Sequence, residues 1–406
     1  MEKIILEKIQ IKENELTYFY NVTEKISKYF MPIRKYSLKY EMNIENVPKS
    51  ILAIPFICNI LPVSWLFDAE IVVDELDENF YESIVPIKKS YQNMYPDLHF
   101  AGNLKCKKII QNNYNASKIA MMFSGGVDAT ATLVKHISEK PILINLQGSD
   151  IKLKYKAVLD NVEIKIQNMA AQFSLPITFI ETAFREVLNE KELDDFISIV
   201  NDNYWHALQH GIAILSHAAP IAYLKKIKTL YIASSYTKGD NAKCASDPTI
   251  DNLLKFASTT IYHDNFDLTR GDKIELINKY CEENNLSLKI RVCFNERKEE
   301  NCCKCEKCYR TIFEIISRNG NPENFGFDLP RNFLRKAKFH FKYKIIFSPA
   351  VIVLWKKIQQ QFQNNPDLNC DPKYVWFLKF DFAESNNFIK KLYANTSLFV
   401  KKILRK

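Results

Sequence analysis

Residues 118–133 read KIAMMFSGGVDATATL, and the fold of this chain is decided there. Ile119–Phe123 is an apolar run of strand length, too short for a free-standing helix. Ser124-Gly125-Gly126-Val127-Asp128 makes a tight turn of small residues, and the good helix formers of Ala129–Val134 begin a helix. Strand, glycine turn and helix together present free backbone N–H groups and a positive helix end, which is an anion site suited to phosphate. A side chain at either glycine would block close approach of the backbone to that anion.

From here the pattern alternates. Pro141–Leu146 predicts a strand ending in Gln147-Gly148-Ser149-Asp150. Lys154–Phe173 predicts a long helix, Ile177–Glu181 a third strand, Tyr204–Leu224 a helix and Thr229–Ser234 a fourth strand. This rhythm predicts an α/β core, a parallel sheet with helices on both faces. Ligands of such sheets lie at the carboxyl ends of the strands, which here offer Ser124–Asp128, Gly148–Asp150 and Ser234–Asp240. Asp150 is then a substrate or Mg²⁺ contact, or the N-cap of the following helix. His206 and His210 share a helix face at i, i+4 without an HExxH word, which suits a satisfied half-buried pair better than a metal site. Asp247 before Pro248 reads as the start of a turn. Arg270 and Lys273, one turn apart, either face phosphates or form a solvated helix face.

Five of the ten cysteines crowd into Cys293–Cys308. Cys293, Cys302, Cys305 and Cys308 give C-x8-C-x2-C-x2-C, with Cys303 an extra residue that competes for a ligand place. Four thiolates from one short segment satisfy a tetrahedral Zn²⁺ with no open position, the pattern of a structural site. Lys304, Lys307 and Arg310 offset the negative charge of such a centre. Without a secretion signal, the clustering favours metal over disulfides and predicts the cytoplasm. Ser50–Phe67 is an uncharged run of 18 residues, but Pro55, Asn59, Pro62 and Ser64 interrupt it. Buried helix broken at the prolines is the expectation, and no membrane span.

The word SGGVD resembles the SGGxDS/T signature of the PP-loop ATP pyrophosphatases, a superfamily of adenylating enzymes. Ser124, Gly125, Gly126 and Asp128 match. Ala129 stands where the family has Ser or Thr, so that hydroxyl is either missing or supplied by Thr130. A cysteine cluster downstream of SGGxD is similar to the zinc motif of the 7-cyano-7-deazaguanine synthase (QueC) branch. The two motifs cover residues 118–317. The resemblance implies an ATP- and Mg²⁺-dependent C–N ligase that releases pyrophosphate and AMP, with Ser124–Asp128 and Thr130 on the nucleotide. Ser124, Asp128, Asp150, Arg270 and Lys273 are the candidate catalytic residues. A deazaguanine-type acid would be the substrate and ammonia or a protein amine the acceptor, the latter as in QueC-like proteins of antiphage systems. A tRNA-thiolating PP-loop enzyme with an iron–sulfur cluster is the second reading, and a degenerate zinc-stabilised scaffold the third.

The division expected is a small α+β domain over residues 1–112, the PP-loop domain with its zinc motif over 113–320 and a basic helical region over 321–406. In the first part, Lys3–Ile11, Tyr36–Met42 and Ala69–Val73 predict strands. Glu75–Val85 and Ile87–Tyr95 predict helices ended by Pro86 and Pro96, and 103–117 predicts a linker. The net charge of +9 is uneven, since residues 331–406 hold 16 Lys/Arg against 4 Asp/Glu. Helices are expected at Val351–Phe362 and Asn387–Leu404. Trp355, Trp376, Phe377 and Phe380 interleave with the cations there, so the region reads as a nucleic-acid surface or as a helical cap with snorkelling lysines.

Overall fold

The computed structural model describes residues 2–386 except 241, 294 and 296, together with Lys390. The chain divides into two compact units, Met1–Leu268 and Thr269–Lys406.

The first unit opens with β1 (Glu2–Lys12) and β2 (Glu15–Val22), followed by β3 (Lys35–Tyr40). Alternation sets their faces: β3 buries Tyr36, Leu38 and Tyr40 and exposes Lys35, Ser37 and Lys39. Short α1 (Lys49–Leu52) leads into α2 (Ile54–Leu66), every residue of which is buried. Its polar groups are satisfied inside the protein. Asn59 donates to the Phe184 carbonyl and accepts from Gln209, and Ser64 donates to the Ala69 carbonyl. No described helix is long and apolar enough to cross a membrane. The prolines behave differently from expectation, because Pro55 sits in the first turn, where a missing N–H costs nothing, and Pro62 is absorbed within α2. Likewise α3 (Glu78–Met94) runs through Pro86 as one helix, capped by Asp77. Its buried residues Phe80, Ser83, Ile84, Ile87 and Tyr91 keep helical spacing across the proline, so packing outweighs the lost hydrogen bond.

β4 (Ala69–Asp77) precedes α3 and β5 (Asn103–Ile110) follows it, pairing with β4 in parallel. The stretch read as linker is therefore largely a strand. β6 (Lys118–Met122), α4 (Val127–Lys135), β7 (Ile142–Gln147), α5 (Lys156–Gln172) and β8 (Ile177–Thr182) follow in the predicted order. After α6 (Glu190–Phe196), the helix predicted over 204–224 is three pieces: a π-turn at Trp205–Gln209, α7 (His210–Ser216) and α8 (Ala219–Lys225). Pro220 supplies the break, sitting at the start of α8. β9 (Ile227–Ala233), α9 (Pro248–Asp251), β10 (Lys255–Phe256) and β11 (Thr259–Asp264) complete the unit.

All strands among the described residues belong to one 11-stranded sheet in the order β10-β11-β9-β6-β7-β8-β3-β2-β1-β4-β5. β3 pairs antiparallel with β8, Leu38 opposite Thr182, so the N-terminal strands continue the sheet rather than forming a body of their own at 112. Within it, β11, β9, β6, β7 and β8 are all parallel. Their order is that of a Rossmann-like half, in which the chain steps outward from β6 through β7 to β8, then returns to β9 on the other side of β6. Right-handed crossovers consequently place α4 and α5 on one face and the later helices on the other.

The join between the two halves of the sheet is held by a buried histidine. His217 Nε2 lies 2.5 Å from the Tyr36 hydroxyl and 3.0 Å from Thr182 Oγ1, and its Nδ1 is 2.5 Å from the Ala213 carbonyl. Burial pushes its pKa down to about 4, against a smaller raising effect of the Ala213 carbonyl. The unfolded chain binds a proton below about 6.5 that the folded chain refuses until about 4, so stability falls as pH drops through that window. The predicted loss is about 3 kcal/mol. Urea midpoints between pH 7.5 and 4.5 measure it, and a His217→Gln variant loses this part of the slope.

The second unit is helical: α10 (Arg270–Asn284), α11 (Glu306–Ser317), α12 (Phe333–Tyr343), α13 (Pro349–Asn364), α14 (Pro366–Asn369) and α15 (Val375–Leu378). Phe313 on α11 is its hub, with the rings of Phe333, Phe341, Trp355, Phe362 and Phe377 around it at centroid distances of 4.5–6.1 Å. Trp355 and Phe377 are fully buried, so these two are core and not a stacking surface. The helix expected over 387–404 lies outside the described residues, Lys390 apart.

Candidate nucleotide loop and metal centre

β6 ends at Met122, and Phe123 is pinned on both sides of its peptide. Its N–H donates to the Ile144 carbonyl at 2.8 Å and its carbonyl accepts from Asn145 Nδ2 at 2.8 Å. The chain then turns sharply. Gly125 has φ +70°, a left-handed conformation that costs a residue with a Cβ about 1 kcal/mol or more, and an added Cβ would lie 3.3 Å from Ile166 Cγ1. Gly126 is the N-cap of α4 and offers no capping side chain, and its own N–H meets Ser124 Oγ at a long 3.4 Å. Ser124 is exposed, Val127 is buried and Asp128 is half-buried.

The loop stands at the reversal in strand order. β6 has β7 on one side and β9 on the other, with Met121 opposite Tyr231 and Met122 opposite Ile144. Residues 124–126 therefore emerge between the ends of β7 and β9, where the two connections diverge and leave a crevice. On the β7 side, Gly148 has φ +102°, and a Cβ there would fall 1.8 Å from the Thr182 carbonyl oxygen. That close pass against the end of β8 explains the glycine. On the β9 side, Ser234 is buried, its N–H bonded to the Asp264 carbonyl and its hydroxyl to the Tyr236 carbonyl.

The structure differs from expectation at two positions here. Thr130 is fully buried, and its Oγ1 has no hydrogen-bond partner among the described residues, so it does not replace at the loop surface the hydroxyl that Ala129 lacks. Asp150 is exposed in the bend after β7, and Tyr155 occupies the N-cap of α5, so the capping role is excluded. Arg270 and Lys273 belong to the second unit. Arg270 donates to Thr311 Oγ1 at 3.2 Å, and Lys273 is 1% exposed, so neither lies on a solvated helix face.

His206 and His263 are each paired with a nearby carboxylate. His206 contacts Asp202 at 2.5 Å and Tyr236 at 2.8 Å. Burial works against its charged form, but the Asp202 carboxylate and then the neighbouring Cys244 and Tyr236 carry its pKa up to about 11. His263 is buried against Asp251 at 2.8 Å, and Asp247 caps α9.

In the second unit, Cys293, Cys302, Cys305 and Cys308 place their four sulfurs within 4.8 Å of one another. Cys293 and Cys305 are 4.0 Å apart, and Cys302 and Cys308 are 3.9 Å apart. Four thiolates around one Zn²⁺ at the usual bond length sit about 3.8 Å from each other. The fit is to a single tetrahedral ion. A four-iron cluster puts each thiolate on a separate iron and a two-iron cluster splits them into two pairs, and both spread the four sulfurs wider. Backbone amides point at the sulfurs, from Cys305 to Cys302, from Cys308 to Cys305 and from Asn295 to Cys293, which stabilises thiolates. The neighbouring thiols, Cys302 first, hold Cys293 far below the usual thiol range.

Cys303 is not part of this set. It takes φ +50°, turns its Sγ toward the Asn301 carbonyl, and burial pushes its thiol up to about 12. The twist at Cys303 is what lets its neighbours Cys302 and Cys305 face the same point. Sequence reading passed over Asn301, which clamps the loop by accepting from the Val292 N–H at 2.9 Å and donating to the Ile290 carbonyl at 2.8 Å. Only its place directly before the Cys302-Cys303 pair hinted at it. Asn301→Ala leaves those buried groups unpaired and is predicted to cost about 2 kcal/mol, read from thermal unfolding of the metal-loaded protein. No family model matches the chain, and no curated protein matches it.

Proposed function

We propose that the protein is a QueC-like, PP-loop ATP-dependent adenylating enzyme. The observation that carries this reading is the loop 124–128 between β6 and α4, at the reversal of strand order, with Gly125 at φ +70° and Gly126 as a side-chain-free helix cap. In the proposed reaction the backbone amides of this loop hold the triphosphate, and Ser124 supports it from the exposed side. Mg²⁺ prefers hard oxygen ligands, and Asp128 would provide one. A substrate carboxylate oxygen attacks the α-phosphorus while the bond to pyrophosphate breaks. An amine then attacks the activated carbonyl carbon, AMP leaves with the bonding electrons, and the amine proton passes to solvent. Positioning and charge neutralisation supply most of the rate. Asp150, exposed at the end of β7, is the proposed contact to substrate. Zinc on the four cysteines stabilises the fold and takes no step in the chemistry.

The test is release of pyrophosphate and AMP from ATP on addition of a 7-carboxy-deazaguanine acid with ammonia or an amine. Stoichiometric pyrophosphate that depends on the acid supports the reading. Absence of both products with every carboxylate offered, from protein that holds its zinc, contradicts it.

A further inference from the structure

α12 carries a feature that adenylation does not use. Its sequence, FLRKAKFHFKY, contains no acidic residue. Phe333, Ala337 and Phe341 repeat at i, i+4, i+8 and are buried in the aromatic core of the second unit. The opposite side is exposed and holds two rows at i, i+3, i+7: Arg335, Lys338 and Lys342, and beside them Lys336, Phe339 and Tyr343. Phe339 is 49% and Tyr343 40% exposed, and their ring centroids are 5.2 Å apart. None of the four cations makes an ion pair among the described residues. Lys342 instead lies 5.2 Å from the Tyr343 ring.

A helix face of uncompensated positive charge suits a polyanion. Two adjacent rings left in water among those charges add a requirement that a merely acidic partner does not meet, namely flat faces to stack on. The apolar side of α12 is committed to the core, so the helix is not free to sink into a lipid surface. We propose that this face of α12 binds single-stranded nucleic acid, with the cations on phosphates and bases stacked on Phe339 and Tyr343. This site is separate from the reading of the 124–128 loop and stands whether or not that reading holds.

The test is fluorescence anisotropy of a labelled 20-nucleotide oligouridylate with the full chain across a salt series. Four phosphate contacts predict a log–log salt slope of about −3. Lys338→Glu with Lys342→Glu is expected to weaken binding at least about tenfold and to flatten the slope by about 1.4. Phe339→Ala with Tyr343→Ala is expected to weaken it at least about thirtyfold with the slope unchanged. All four positions are exposed, so unchanged thermal unfolding checks that the fold is kept. Three results overturn the proposal: no binding at low salt, full affinity in the aromatic variant, or competition by polyglutamate as effective as by unlabelled oligonucleotide. The last would assign the face to an acidic protein.

Discussion

Stripping the metal from zinc-loaded protein is expected to abolish the cooperative unfolding transition of the second unit, if the Cys293–Cys308 cluster is the zinc centre proposed. Cys305 is the N-cap of α11 and Cys308 lies in its first turn, while Phe313, the hub of the aromatic core, follows five residues later on the same helix. The centre thus fixes the start and direction of the helix on which that core is assembled. A structural Zn²⁺ contributes about 10 kcal/mol or more of apparent folding free energy, comparable to the whole stability of a domain. Without it, four sulfurs, those of Cys293 and Cys308 on buried residues, crowd together with no metal to offset thiolate charge. A chelator, or Cys308→Ser, should give zinc-free protein that proteases cut within residues 288–345, with loss of helical signal. Cys303→Ser should retain one zinc per chain and the full transition, because that thiol faces the Asn301 carbonyl. Metal analysis and limited proteolysis decide the matter. Zinc-free protein that keeps its transition, or a Cys303 variant that loses its metal, would refute the assignment of ligands.

The second large effect is at the glycine turn. Gly125→Asp puts a carboxylate where the proposed triphosphate sits, at a backbone φ of +70° and against Ile166. It repels the anion and disturbs the amides that would bind it. Losing two charge-assisted hydrogen bonds costs about 3–5 kcal/mol, which is a fall in ATP affinity of roughly 10²–10⁴-fold. Pyrophosphate release should drop to background with it. Calorimetric titration of ATP into both proteins measures the change, and unchanged unfolding of the second unit shows that the effect is local. Equal ATP affinity in the two proteins would remove the loop from the account.

Four of the five parallel strands were legible as short apolar runs alternating with helices, and a turn such as SGGVD admits few geometries, whereas β11 (TTIYHD) carries polar residues through its length and was not read as a strand. The four ligand cysteines were legible because thiolates at two-residue spacing have few other uses. What escaped depends on partners distant in sequence. Pro86 and Pro62 punctuate a helix locally, yet the buried stripes of α3 and α2 carry through them. The continuity of the sheet rests on Leu38 meeting Thr182, a pairing across more than a hundred residues that periodicity does not encode. Thr130 and Ala129 follow the glycine turn directly, and only packing shows that both are buried, which takes the Thr130 hydroxyl away from the loop surface. Trp355 and Phe377 sit among lysines in sequence, but helix geometry turns the rings inward and the charges out.

A crystal structure of the protein soaked in ATP and Mg²⁺ tests the central claim most directly. The account predicts phosphate density against the backbone amides of Gly125, Gly126 and Val127, with the nucleotide extending over the gap between the ends of β6 and β9. A nucleotide bound elsewhere, with the 124–128 loop bare, would contradict it.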